Sequence, residues 1–187
     1  MPSTSKKAFD DNKKDIEGFW KIHEKAAGSG RGRKHKVEVL NRAVIVFVTA
    51  CWEAYVEDVA HEALGHVFAA APVAPAAATA LRAIAGNKID RLNTPKTSPV
   101  TDLFKSVLGL PRIHTHWKWQ RMTAKGAGEK LDEFVALRGS IAHRVGSKSP
   151  VGKNVGVKYL NHVERLVEKT DEAVAQHLKK LTGTKPW

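Results

Sequence analysis

Apolar positions recur every three or four residues along most of the chain. Phe9, Ile16, Phe19, Trp20, His23 and Ala27 fall near helical spacing and predict a first helix over 8–27. A basic, glycine-rich stretch from Gly28 to Lys36 breaks it and reads as a flexible loop. Val37, Leu40, Val44, Phe47, Cys51, Tyr55 and Val59 step by three or four, predicting a long second helix from Val37 to about Ala71. Val46, Val48 and Trp52 add another apolar face to its middle, so that part is expected to be deeply buried. The β-branched run at 44–48 would suit a strand, but the periodicity on both sides favours a helix.

Pro72 and Pro75 end that element, and the alanine-rich residues 75–85 predict a short third helix. Asn87 to Pro99 reads as loop, with Pro95 and Pro99 as breakers. Thr101 to Leu108 predicts one short helix capped by Thr101 or Asp102 and stopped by Gly109 and Pro111. Ile113 to Trp119 follows no clear period. A helix is expected from Glu129, after Gly126 and Gly128, to about Val145. Gly146 to Gly156 reads as loop, and Val157 to Leu181 as a final helix with Leu160, Val163, Val167, Val174, Leu178 and Leu181 as its stripe. No strand-like alternation or internal repeat stands out. The expected fold is an all-α helical bundle of about five to six helices in one domain over 1–187, with flexible tails at 1–7 and 182–187.

Composition narrows the class. A chain of 187 residues can bury a core without staples, and its 42% hydrophobic and 27% charged content is that of a globular protein. The single cysteine, Cys51, excludes an internal disulfide and sits in an apolar run, where a thiol packs as a small hydrophobe. A reducing, cytoplasmic location is expected. No apolar segment follows Met1–Lys7 as in a secretory leader, and the longest apolar run, Ala43 to Trp52, is cut by Glu53. A span needs about 20 apolar residues, so no membrane is expected as a partner. The formal charge of +12 attracts polyanions, nucleic acid foremost.

Several motifs fail on spacing. His61 and His66 flank Glu62 as in a zinc-protease helix, but that chemistry needs histidines four apart, and five apart turns them about 140° from each other. Gly146 to Lys153 has five residues between its glycines and Asn154 after the lysine, not the phosphate-loop pattern. His114 and His116 lack further ligands nearby, and packing beside Trp117 and Trp119 suits them better. Gly139-Ser140 lacks the flanks of a nucleophile elbow. No metal and no cofactor are expected.

What remains is Leu137-Arg138-Gly139-Ser140-Ile141-Ala142-His143-Arg144, near the end of the helix expected from Glu129 and preceded there by Glu133-Phe134-Val135-Ala136. It resembles the R-N-x-I-A-H box of HEPN ribonuclease domains. Trp52-Glu53-Ala54-Tyr55-Val56-Glu57-Asp58 resembles the E-A-Y stretch in the long helix of the RiboL-PSP branch of that family. Leu92-Asn93-Thr94-Pro95, Leu103-Phe104, Leu108-Gly109-Leu110 and Trp117 are similar to further blocks of the branch, so the resemblance spans roughly residues 37 to 181. One position departs: the family usually has a polar residue, often Asn, where this chain has Gly139.

The resemblance implies an endoribonuclease with Arg138 and His143 as catalytic residues, RNA as partner and a homodimer as working form. It also implies a toxin or defence role, with an antitoxin or other regulatory protein as a further partner. Glu53, Tyr55 and Ser140 are expected to support the site, and Arg144, Lys148 and Lys153 to hold RNA phosphates. The chemistry is coherent without a metal. RNA carries its own 2′-hydroxyl nucleophile, histidine serves as base or acid near neutral pH, and arginine offers a permanent charge shaped for phosphate oxygens. The products implied are 2′,3′-cyclic phosphate and 5′-hydroxyl ends.

Geometry adds a condition. With Leu131, Phe134, Val135, Ile141 and Ala142 as the buried stripe, Arg138 lies near its centre and His143 almost opposite. Either the helix loosens at Gly139, or Arg138 lies in a dimer seam and two copies complete the site. The alternative function is a non-catalytic RNA-binding or assembly module that keeps the box for packing. A DNA-binding repressor or antitoxin fits the charge, but no recognition-helix turn stands out.

Overall fold

The computed structural model describes residues 1–27, 35–71, 73–143 and 151–187, without the side chains of 26, 27, 35, 36 and 143. The glycine-rich loop after the first helix, Pro72, Arg144, Lys148 and the loop through Pro150 lie outside the described residues. Six α-helices follow in order: α1 Thr4–Ala27, α2 His35–Ala70, α3 Pro75–Ile89, α4 Thr97–Leu108, α5 Ala124–His143 and α6 Lys153–Thr182, with a 3-10 turn at Ile113–His116 between α4 and α5. Among the described residues no strand forms, and Trp119 and Met122 make one isolated bridge. The fold is all-α, as the periodicity predicts.

The hub is α2. Its 36 residues run about 54 Å, long enough to pack against α1, α3, α4, α5 and α6 in turn. By length and composition Val37–Ala70 could cross a membrane, but half of its most apolar window is buried inside the bundle, as suits a core helix. The β-branched run is helical, and Val44, Ile45 and Val48 are fully buried. Burial is not complete around the helix, however: Val39, Val46 and Phe47 are 67%, 36% and 41% exposed. The side of α2 that carries these residues is left open.

Buried tryptophans knit the helices together with their N–H groups satisfied. Trp52 on α2 donates to the Pro95 carbonyl at 2.9 Å, and Trp117 donates to Thr170 Oγ1 on α6 at 2.9 Å. The two indoles meet edge to face, 5.9 Å between centroids. Fully burying such side chains with their donors paired contributes roughly 1.5–3 kcal/mol each.

The N-terminus is not a loose tail. Ser3 is fully buried, donates its N–H to Asp171 on α6 at 3.3 Å and its hydroxyl to the same carboxylate, and also accepts from Lys6 N at 2.9 Å. Ser5 donates its N–H and hydroxyl to Glu62 on α2 at 2.9 and 2.6 Å. At the other end Trp187 packs partly buried against the core, beyond a Gly183 cap whose φ of 75° suits a residue without a side chain. Polar side chains distant in sequence thus fix the first residues, and apolar packing of Trp187 holds the last.

Element boundaries moved where packing outweighed local signals. Pro99 sits in the first turn of α4, where a missing N–H costs nothing. The α4 start is capped from outside: Asp132 on α5 accepts from Thr97 N at 2.8 Å, in place of Thr101 or Asp102. Gly126 and Gly128 lie inside α5, and Gly156 lies inside α6. A Cβ on Gly156 would come within 2.7 Å of Trp20 and 3.0 Å of Val44, so its bareness lets α6 pack against α1 and α2. The rejected pair His61 and His66 is held by separate partners. His61 bonds Asp90 at 2.9 Å, whereas His66 bonds Thr182 and Thr184 at 3.2 Å.

Candidate active site

The box Arg138–His143 closes α5. Leu131, Phe134 and Val135 bury the helix against the core, and one turn further the stripe reaches Arg138, which is half-buried. The helix does not loosen at Gly139: α5 is continuous from Ala124 to His143, although glycine costs about 1 kcal/mol against alanine there. A Cβ on Gly139 would touch nothing within 4 Å. Arg138 and His143 therefore stand about 140° apart and roughly 7.5 Å along the axis. Ile141 is half-buried and Ala142 exposed, so the end of the helix leaves the core. The His143 side chain lies outside the described residues.

Arg138 points its charge at two groups on neighbouring helices. The first is Glu53 on α2. Burial pushes its carboxyl above the ordinary carboxylate range, and the Arg138 guanidinium pulls it back down. The second is Tyr159 on α6, whose phenol burial raises strongly while Thr49 and Arg138 lower it. Arg138 nevertheless makes no hydrogen bond or ion pair among the described residues.

Behind the arginine is a closed polar relay. Thr49 on α2 donates its only hydroxyl proton to the Ile45 carbonyl at 2.9 Å, so it must accept from the Tyr159 hydroxyl at 2.9 Å. Phe134 stacks on Tyr159, 4.2 Å between centroids and 18° between planes, and so ties the turn before Arg138 to α6. Tyr159 is fully buried; it holds this corner and is not open to a substrate.

The supporting residues divide. Glu53 joins Arg138. Tyr55 does not: two residues on along α2 it faces about 200° away. It is 1% exposed, stacks on Trp52 and donates to the Val167 carbonyl at 3.1 Å. Tyr159 is the tyrosine near the arginine. The sequence held its signal, helical spacing with Val163 and Val167, but nothing there linked it to α5. Ser140 is exposed and turns its hydroxyl back to the Leu137 carbonyl at 2.8 Å. Lys153 is engaged by α1, with Glu24 at 2.9 Å and its ammonium 5.6 Å over the Trp20 ring. Arg144 and Lys148 lie outside the described residues. Among the described residues no group of three or more His, Cys, Asp or Glu could hold a metal ion.

The face beside Arg138 is unusual. At 100° per residue, Val39, Val46, Ala50 and Glu53 fall within an arc of about 60° on α2. Val39, Val46 and Ala50 are exposed and apolar, and Glu53 and Glu57 continue the row, each with its carboxyl raised chiefly by burial. An uncovered apolar row thus leads to the Glu53–Arg138 corner.

A family model described as RiboL-PSP-HEPN matches residues 7–176, from the first turn of α1 into α6, and includes Glu53, Arg138 and His143. Comparison with curated proteins and with solved structures gives no match.

Proposed function

The chain belongs to the RiboL-PSP-HEPN family, and from that premise we propose that it is a metal-independent endoribonuclease that works as a dimer on cytoplasmic RNA. One observation carries the reading: Arg138, in the family's motif position, is half-buried yet makes no hydrogen bond or ion pair among the described residues. A guanidinium kept out of internal pairs is available to a phosphate, for which its planar fork is matched.

In this reading the RNA 2′-hydroxyl attacks the adjacent phosphorus and the 5′-oxygen leaves. Arg138 neutralises charge building on the equatorial oxygens. His143 takes the 2′-hydroxyl proton, and the same residue of a second copy protonates the leaving oxygen, since one imidazole cannot serve both at once. The continuous α5 favours the shared site over a local rearrangement at Gly139, and the open apolar row on α2 offers a second copy a surface beside Arg138. Unrestrained cleavage of this kind arrests growth, which suits a toxin or defence effector held by an antitoxin or other regulatory protein.

The test is incubation of the purified chain with total RNA in EDTA, beside His143→Ala, with the fragment ends mapped. The expected result is 2′,3′-cyclic phosphate and 5′-hydroxyl ends from the parent alone. Equal absence of cutting overturns it. The second reading, a non-catalytic RNA-binding or assembly module, is favoured by Gly139 standing where relatives carry a polar side chain, and it gains if RNA is bound by both proteins and cut by neither.

A further inference from the structure

Next to the Phe134–Tyr159 stack, reached through His162, an open pocket of about 500 Å³ lies between α6 and the turn after Trp117. Its walls are Trp119, Met122, Lys158, Asn161, His162 and Arg165. We propose that this pocket binds one nucleotide of single-stranded RNA, the base stacking on Trp119 and the adjoining phosphate held by Lys158 and Arg165. The inference rests on the reading of the chain as RNA-directed, but not on its being a nuclease.

The residue types suit that ligand. Trp119 is half-buried, so it is held firmly while keeping surface free. His162 lies 5.4 Å from it at a tilt of 60° and packs against the indole. A base of any sequence can stack on such a face. Lys158, Asn161 and Arg165 are exposed on one α6 stripe at steps of three and four. Lys158 has no ion pair among the described residues, and Arg165 has only a surface pair with Glu168 at 2.8 Å, which a phosphate can displace.

His162 supplies a further polar group. Its Nε2 lies 3.0 Å from the Ala127 carbonyl, which can only accept, so Nε2 carries the proton and Nδ1 remains an acceptor. No hydrogen bond among the described residues uses that Nδ1.

The turn that presents Trp119 is itself specific. Trp119 and Met122 exchange backbone hydrogen bonds at 3.2 and 2.9 Å around Gln120 and Arg121. Arg121 adopts φ 63°, a conformation that favours glycine, yet the chain keeps an exposed cation there, beside the pocket mouth. Packed rings connect the pocket wall to the turn before Arg138. Phe134, one turn before Arg138 on α5, is 6.0 Å from His162 and stacks on Tyr159. A strand held at Trp119 can continue along the α5–α6 pair.

The experiment measures fluorescence anisotropy of a labelled single-stranded RNA on the His143→Ala chain, so that no cutting intervenes. Trp119→Ala is expected to weaken binding about 10-fold or more, and Trp119→Phe to retain most of it. Lys158→Ala with Arg165→Ala, both at exposed positions, is expected to flatten the dependence of log affinity on log salt by about two phosphate contacts. Duplex RNA is expected to bind without sensitivity to Trp119. Affinity of the Trp119→Ala and double variants within twofold of the parent overturns the proposal, as does no binding of single strands at all. Should Trp119→Ala lose its helical circular dichroism, the double variant alone decides. Trp119-dependent binding without any cleavage by the parent would sink the nuclease and keep the pocket; cleavage with Trp119-independent binding would do the reverse.

Discussion

Glu53 on α2 and Arg138 on α5 sense each other's charge without closing into an ion pair: the guanidinium draws down a carboxyl that burial has raised. This leaves Arg138 oriented but uncommitted. Arg138→Ala is therefore expected to slow RNA cleavage by about 10²–10³-fold, the usual cost of one charge-stabilising donor. Arg138→Lys should recover only part, because an ammonium lacks the planar fork. Single-turnover cleavage beside circular dichroism checks this; a variant that stays folded and cuts at the parent's rate would refute it.

The proposed use of one imidazole from each copy predicts dominant interference. A mixed dimer of the parent with His143→Ala keeps one His143 of the two, so co-expressed His143→Ala should lower the parent's cleavage well beyond simple dilution. A charge placed in the open apolar row, Val46→Glu, should reduce both dimer mass and cleavage. Multi-angle light scattering together with the cleavage assay measures both.

Gly156 predicts a packing defect. Adding a methyl there presses on Trp20 at 2.7 Å and Val44 at 3.0 Å. Gly156→Ala should destabilise the fold by about 1–3 kcal/mol, although alanine is the better helix former. Urea unfolding would show this as a lower midpoint at unchanged slope.

The buried Ser3–Asp171 contact predicts that the first residues matter to stability. Removal of residues 1–5 takes the Ser3 donors from Asp171 and the Thr4 and Ser5 donors from Glu62, and should cost roughly 1–3 kcal/mol. Thermal melting of the truncated chain against the parent tests it; equal melting temperatures would mean that the tether contributes nothing.

His162 predicts an acid limb. Burial lowers its pKa below the ordinary histidine value of about 6.5, with the bond to Ala127 opposing and nearby Lys130 assisting. Above about pH 6.5 folded and unfolded chains both hold it neutral, and its stability contribution is complete. As pH falls from there towards the folded pKa, the unfolded chain takes up the proton first, and stability declines. His162→Gln should flatten that decline in a melting series from pH 7.5 to 5.

Helix number, type and order were legible because each helix here buries one stripe, and a stripe shows as a period along the sequence. The same holds for the box: Arg138 and His143 are close in sequence, and the flanking blocks of α2 and α5 carry the family resemblance. Boundaries were less legible. Pro99, Gly128 and Gly156 look like breakers in isolation; Pro99 is tolerated because it falls in the first turn of α4, and the two glycines because a Cβ there would meet Thr97, or Trp20 and Val44.

What the sequence determined by itself was the all-α class and the motif, since both depend on spacing within single helices. Which groups feel the Arg138 charge was decided by the tertiary structure: Glu53 and Tyr159 come from α2 and α6, and their nearness depends on how helices cross. Tyr55 shows the limit from the other side. It stands two residues from Glu53, yet the helical rotation sends it into the core, because neighbours along a helix do not share a face.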